Sequence, residues 1–186
     1  MKNLKFIFIV NILFTVLFLN FCKDDDPIDM NDEEVITTLT YTLTPTSGDV
    51  VTLSFLDLDG DGGDDPIITG GILQSNMSYI GVLDLKNEAE TPAESITEEI
   101  EEEALEHQFF FTATGANLTV GYADEDDNGN PLGLVTTLTT GDASSGTIQV
   151  VLRHEPDKSA TGVQSGDITN AGGETDIEVT FDITLQ

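Results

Sequence analysis

From about residue 35 onward, apolar and polar side chains alternate one by one. Leu39, Tyr41 and Leu43 are interleaved with Thr38, Thr40, Thr42 and Thr44. Val51, Leu53 and Phe55 alternate with Thr52 and Ser54, and Ile148, Val150 and Leu152 with Gln149, Val151 and Arg153. The last run is the longest: Ile177, Val179, Phe181, Ile183 and Leu185 against Glu178, Thr180, Asp182 and Thr184. Successive side chains of a strand point to opposite faces, so each run predicts a strand with one face buried. Further strands are expected around Ile80 and Val82 or Leu83 and Leu85, at Phe109 and Phe111, and over Leu118, Val120 and Tyr122. Clusters such as Thr46-Ser47-Gly48-Asp49 and Thr114-Gly115-Ala116-Asn117 punctuate them with turn residues. About eight or nine short strands so separated predict an all-β, antiparallel, immunoglobulin-like sandwich over residues 35–186.

One segment changes period. Ile96, Ile100 and Ala104 recur at helical spacing, while Glu98, Glu99, Glu101, Glu102 and Glu103 fill the other face. Thr91-Pro92-Ala93-Glu94 has the form of a capping box with proline at the first helical position. The expectation is one short amphipathic helix from there to about Glu106.

The amino-terminal residues follow neither pattern. Lys2 and Lys5 precede a stretch from Phe6 to Phe21 that is apolar except for Asn11, Thr15 and Asn20. It is short for a bilayer span, which needs about 20 residues, and suits the core of a secretory signal peptide. The single cysteine, Cys22, follows at once and has no internal partner for a disulfide. Residues 1–21 are therefore read as a signal peptide, Cys22 as the acylated first residue of the mature chain, and 22–34 as an acidic tether.

Leu19-Asn20-Phe21-Cys22 resembles a bacterial lipobox, departing from it at Phe21, where a small residue is usual. Lys23-Asp24-Asp25-Asp26 resembles the signal that sends Bacteroidota lipoproteins to the outer face of the outer membrane. The whole chain is similar to small, uncharacterised Bacteroidota lipoproteins. The resemblance implies a lipid-anchored location at the outer membrane and cell surface, and no activity. Some such proteins carry the label of a type 1 periplasmic binding fold, whose alternating strands and helices this sequence does not have.

Composition narrows the partners. The chain has 35 acidic and 6 basic residues, a formal net charge of −29. Such a surface repels phosphate backbones, so nucleic acid is excluded as a partner, while cations are attracted. A hydrophobic content of 39% distinguishes it from an acidic disordered chain.

The densest acidic motif is Asp57-Leu58-Asp59-Gly60-Asp61-Gly62-Gly63-Asp64-Asp65. Asp57, Asp59, Asp61 and Asp65 stand at relative positions 1, 3, 5 and 9, with glycine at 6. This resembles acidic calcium loops, because calcium takes six to eight oxygens around a tight turn. Ile68 stands where an EF-hand has its bidentate glutamate, so the expectation is a calcium loop between strands. Asp124, Asp126 and Asn128 repeat the 1, 3, 5 spacing before Gly129, where Asn128-Gly129 also suits an ordinary tight turn. Both loops follow strands and could share ions at one end of a sandwich. His107 and His154 would form a transition-metal pair if their strands were neighbours, with Glu106 or Glu155 as the nearest further ligands. Otherwise each is a hydrogen-bonding side chain at a strand end. Arg153-His154-Glu155-Pro156-Asp157-Lys158 reads as a local charge network.

No Gly-x-Ser-x-Gly elbow, glycine-rich phosphate loop or His-Glu-x-x-His is present. No two of the many carboxylates stand out as a catalytic pair. The sequence therefore reads as a non-catalytic envelope lipoprotein, a binding or adhesion module with a protein or glycan partner and calcium-ordered loops. The alternative is a metal-handling or enzymatic domain built on His107 and His154.

Overall fold

The computed structural model describes residues 35–60 and 63–186. The leader, Cys22, the tether and Asp61 lie outside the described residues. Eleven strands form two sheets: β1 Thr38–Pro45, β2 Val51–Leu56, β3 Ile67–Thr69, β4 Gly71–Leu73, β5 Ser78–Asn87, β6 Glu94–Ser95, β7 His107–Thr114, β8 Leu118–Tyr122, β9 Val135–Thr140, β10 Ser144–His154 and β11 Glu174–Leu185. The larger sheet runs β3-β2-β1-β5-β9-β8, with β6 on the end of β5; the smaller runs β4-β11-β10-β7. The expected all-β sandwich forms. Eight strands have five or more residues, and seven of them carry the alternating runs; β9 carries none because Thr136 and Thr140 take its inward positions, and β3, β4 and β6 are too short for a period to register. One pair, β4 with β11, is parallel, which departs from the antiparallel expectation.

Alternation decides which faces are buried. Leu39, Tyr41 and Leu43 of β1 and Phe181, Ile183 and Leu185 of β11 are all at most 2% exposed and face one core. In β5 the inward residues are Tyr79, Leu83 and Leu85, and Ile80 and Val82 point out to solvent. Between β3 and β4 the chain passes from one sheet to the other at Gly70. A Cβ there would lie 2.1 Å from the Asp182 carbonyl oxygen, so only glycine permits the crossing.

A second, smaller core lies on the back of the smaller sheet. Phe110 and Val151 point away from the sandwich and are covered by Val163 and Ala171 of the segment between β10 and β11. That segment carries two single 3₁₀ turns, Val163–Ser165 and Ile168–Asn170.

The helix, α1, spans Ile96–Glu102 and buries Ile96 and Ile100, as the spacing predicted. Its start corrects the expectation. Thr91-Pro92-Ala93 belongs to the preceding turn, Glu94 and Ser95 pair with β5, and Ser95 caps the helix by accepting from the Glu98 N–H. Ser95 and Glu98 have the same capping-box spacing, four residues further on. The reason is tertiary: Thr97 Oγ1 accepts from the Leu85 N–H at 2.7 Å, which ties the first turn to β5. α1 is therefore held against β5 and turns Ile96 and Ile100 into the main core.

Tyr41 shows how the core handles a polar group. Its hydroxyl is 2.7 Å from Thr136 Oγ1, and its ring lies over Gly81, where a Cβ would come within 2.5 Å. Burial pushes the phenol up to about 12, against the lowering effect of Thr136. A raised acid contributes stability that is whole below its unfolded value near 10 and lost as pH rises through about 12. Chemical denaturation between pH 10 and 12 should show wild type losing about 2–3 kcal/mol more than Tyr41→Phe. Parallel pH profiles for the two proteins would contradict this.

Candidate functional site

Three sets of residues come from the sequence, and the structure treats each differently. In the first loop, Asp57 Oδ1 accepts from the Gly60 N–H and Asp59 Oδ2 from the Asp64 N–H, both at 2.9 Å. These two carboxylates brace the turn's own backbone. A Cβ on Gly63 would sit 2.2 Å from Asp59 Oδ2, so a larger residue there would displace the Asp59 side chain from its bond to the Asp64 N–H. Asp65 is exposed.

The second loop is built on hydrogen bonds and one ammonium group. Asp124 accepts from the Gly133 and Val135 N–H groups, each at 2.7 Å. Asp126 Oδ1 accepts from the Asn128 and Asn130 N–H groups at 2.9 Å. Asn128 itself is exposed. Lys158 Nζ donates to Asp126 Oδ2 at 2.9 Å and to the Ala104 carbonyl at 2.6 Å, with both charged side chains buried. Burial pushes the Asp126 carboxyl up, but the Lys158 ammonium and the Asn130 and Asn128 N–H groups outweigh it and hold it below its usual value. Lys158 thus leaves the charge network expected for residues 153–158, while Arg153 Nη1 donates to the Gly173 carbonyl.

Both loops lie at one end of the larger sheet, but after its second strand from one edge and after the opposite edge strand. Three strands separate them, about 19 Å at the usual strand spacing. That distance is too great for one shared ion. The second loop instead faces α1 across a cleft of about 310 Å³, lined by Glu101, Glu102, Leu105 and Asp124 to Asp127.

The histidines are brought together. β7 and β10 are neighbours, and His107 pairs in register with His154. Their rings stack with centroids 4.7 Å apart and planes 20° apart, and both residues are buried. His107 Nδ1 lies 3.2 Å from the Glu103 carbonyl, which can only accept, so this nitrogen carries the proton. His107 Nε2 is 3.9 Å from Asp176 Oδ2, and both side chains are fully buried. His154 Nε2 is 3.9 Å from Glu106 Oε2. Glu106, His154 and Glu155 have donor atoms within 4.8 Å of one another.

Asp176 is the residue that sequence reading missed. Strict alternation from Ile177 would turn it outward. It lies where the β10–β11 register shifts, Leu152 pairing with Ile177 and Arg153 with Thr175, and the extra residue turns its side chain inward. A bulge re-aims a side chain in this way, and the only sequence trace is the break in apolar alternation before Ile177.

A further feature emerges only from strand order. The outer face of the larger sheet gathers Thr38, Thr40, Thr42 and Thr44 of β1 beside Ile80 and Val82 of β5 and Thr137 and Thr139 of β9. Ile80 is 50% exposed and Val82 44%. Its charged pair, Asp84 and Lys86, neutralise each other at 3.1 Å. By contrast, β11 presents Glu178 and Asp182 to solvent.

No family model matches this chain, and no curated protein or solved structure matches it at a significant level.

Proposed function

We propose that this protein is a non-catalytic binding module of the outer envelope, held by a lipid on Cys22, that docks a protein partner on the outer face of its larger sheet. One observation carries the reading. In a chain with net charge −29, the middle of this face is uncharged and exposes threonine, isoleucine and valine side by side, while its charges, the Asp84–Lys86 pair and the Glu88 carboxylate that accepts from Thr38, gather at one end. Depletion of charge at the centre with charge around it is the arrangement of a protein interface. Six strands at ordinary spacing make a face of roughly 500 Å² in plan, a large part of the about 800 Å² that one partner contributes to a standard interface. The acidic surroundings suit a partner with a basic rim and favour association that slows with salt. The loop containing Asp57, Asp59, Asp61 and Asp65 joins β2 to β3 beside this face, and calcium bound there would stiffen its edge. The location rests on the lipobox-like Leu19–Cys22 and the acidic run after it.

A photo-crosslinking residue placed at Val82 of the full chain, in its own membranes, tests the proposal. A product heavier than the chain by a partner's mass is expected from position 82 and not from position 178. Ile80→Glu should remove it, and EDTA should weaken it. Equal products from both positions, or a product of twice the chain's mass that marks a second copy, would overturn the reading.

A further inference from the structure

We infer that His154, Glu106 and Glu155 form a site for a divalent transition-metal ion of the zinc class, at the end of the smaller sheet and separate from the neutral face. The three residues come together because β7 begins where β10 ends. The Glu155 N–H donates to the Glu106 carbonyl at 2.6 Å, so backbone pairing fixes the spacing of the two glutamates.

His154 supplies the observation that points to a ligand. Its side chain is 5% exposed, and its Nε2 is buried without a hydrogen bond. Buried polar atoms nearly always have a partner. Its nearest carboxylate oxygen, Glu106 Oε2, is 3.9 Å away, beyond hydrogen-bond range and suited to an ion held between the two. Around a tetrahedral ion with bonds of about 2.0–2.1 Å, donors stand about 3.4 Å apart. Closing the present separations, all within 4.8 Å, takes about 1.5 Å of movement at most. Glu106 is half exposed and Glu155 exposed, so both carboxylates can swing inward. The imidazole does not need to move. It is held by the stacked ring of His107, which is itself set by the Glu103 carbonyl on one side and faces Asp176 on the other. His107 is thus a positioning residue, not a ligand.

The donor set selects the ion. One imidazole nitrogen with two carboxylates suits zinc and its first-row neighbours, and leaves a coordination position for water. Calcium requires six to eight oxygens, which this corner does not supply.

The test must separate this corner from the acidic skin, which attracts any cation. Zinc chloride is titrated calorimetrically into the full chain in detergent, over a background of millimolar magnesium and calcium. One zinc per chain is expected. Glu106→Gln and His154→Gln should each weaken it by at least about 10–100-fold, the cost of losing a residue that merely supports a ligand. Glu155→Gly is the variant that protects the test from misfolding. Glu155 sits at φ 50°, a left-handed conformation that glycine adopts more readily, so the fold is kept while the ligand is lost. Nitrogen NMR of the histidines adds a direct readout, a zinc-induced shift at His154 Nε2. Wild-type zinc affinity in Glu155→Gly and Glu106→Gln, or an unmoved His154 signal at saturation, would overturn the assignment and leave only adventitious binding to the acidic surface.

Discussion

Lys158→Met is expected to lower folding stability by about 3–5 kcal/mol, the cost of leaving one member of a buried ion pair without its counter-charge. Lys158 is 6% exposed and Asp126 5%. The ammonium joins three otherwise separate pieces: the exit of α1 through the Ala104 carbonyl, the β8–β9 loop through Asp126, and the segment between β10 and β11 that carries it. Methionine fills much of the same space, so loss of charge and hydrogen bonds dominates over loss of packing. Urea denaturation at neutral pH measures the effect. Adding Asp126→Asn to Lys158→Met should recover more than half of it. The amide keeps an oxygen for the Asn128 and Asn130 N–H groups and no longer leaves a charge buried. The pH dependence has a defined sign. The Asp126 carboxyl is held below its usual value, so its contribution is present above the unfolded value near 4 and lost as pH falls through the lower folded one. The gap between wild type and Lys158→Met should therefore narrow below about pH 4. A loss under about 1 kcal/mol, the range of exposed pairs, would mean that the ammonium is solvated in the native state.

Phe110→Ala is expected to cost about 3 kcal/mol, the lower end of the range for truncating a buried phenylalanine. Phe110 is 1% exposed and is the largest side chain of the smaller core, where it meets Val151, Val163 and Ala171. The covering segment can settle toward the gap, which limits the cost. Its other ties include Gln108 Nε2 donating to the Val163 carbonyl at 3.0 Å and, at its start, the Lys158 ammonium on Asp126 and the Ala104 carbonyl, all of which lie outside the main core. The main core does not include Phe110. Detachment of the segment should thus be cheaper than global unfolding, and trypsin reads this directly because Lys158 lies within the segment. Within residues 35–186 the first cut should fall after Lys158, ahead of Arg153 in β10 and Lys86 in β5, and come about 100-fold faster in Phe110→Ala than in wild type. The far-ultraviolet signal of the two sheets should persist through that cut. A first cut at Lys86, or an unchanged rate at Lys158, would show that the segment opens only with the whole domain.

The architecture was legible because alternation is a local property. Whether Leu39, Tyr41 and Leu43 share a face depends on the pleat and not on the neighbouring strand, so single runs predicted seven of the longer strands and the buried faces of most; the face of β5 was left open, and β9, which turns Thr136 and Thr140 inward, showed no apolar run. The period of Ile96 and Ile100 predicted the helix for the same reason, and a second motif of identical spacing displaced its start. Pairing is a different kind of information. The two histidines, 47 positions apart, meet because β7 and β10 happen to be neighbours in register. Lys158 finds Asp126 across 32 positions. Asp176 faces inward only because a bulge shifts the count by one.

The charge total and the threonine runs were on the page from the start, but a neutral face exists only once β1, β5 and β9 lie side by side. Sequence by itself determined which side chains turn inward in the regularly alternating runs, that one short helix interrupts them near Ile96 and Ile100, and that the chain is strongly acidic. Tertiary structure alone decided strand order, and with it every encounter between distant polar groups. A strand's own residues specify its faces through backbone geometry, whereas its partners are chosen by the free energy of the assembled core.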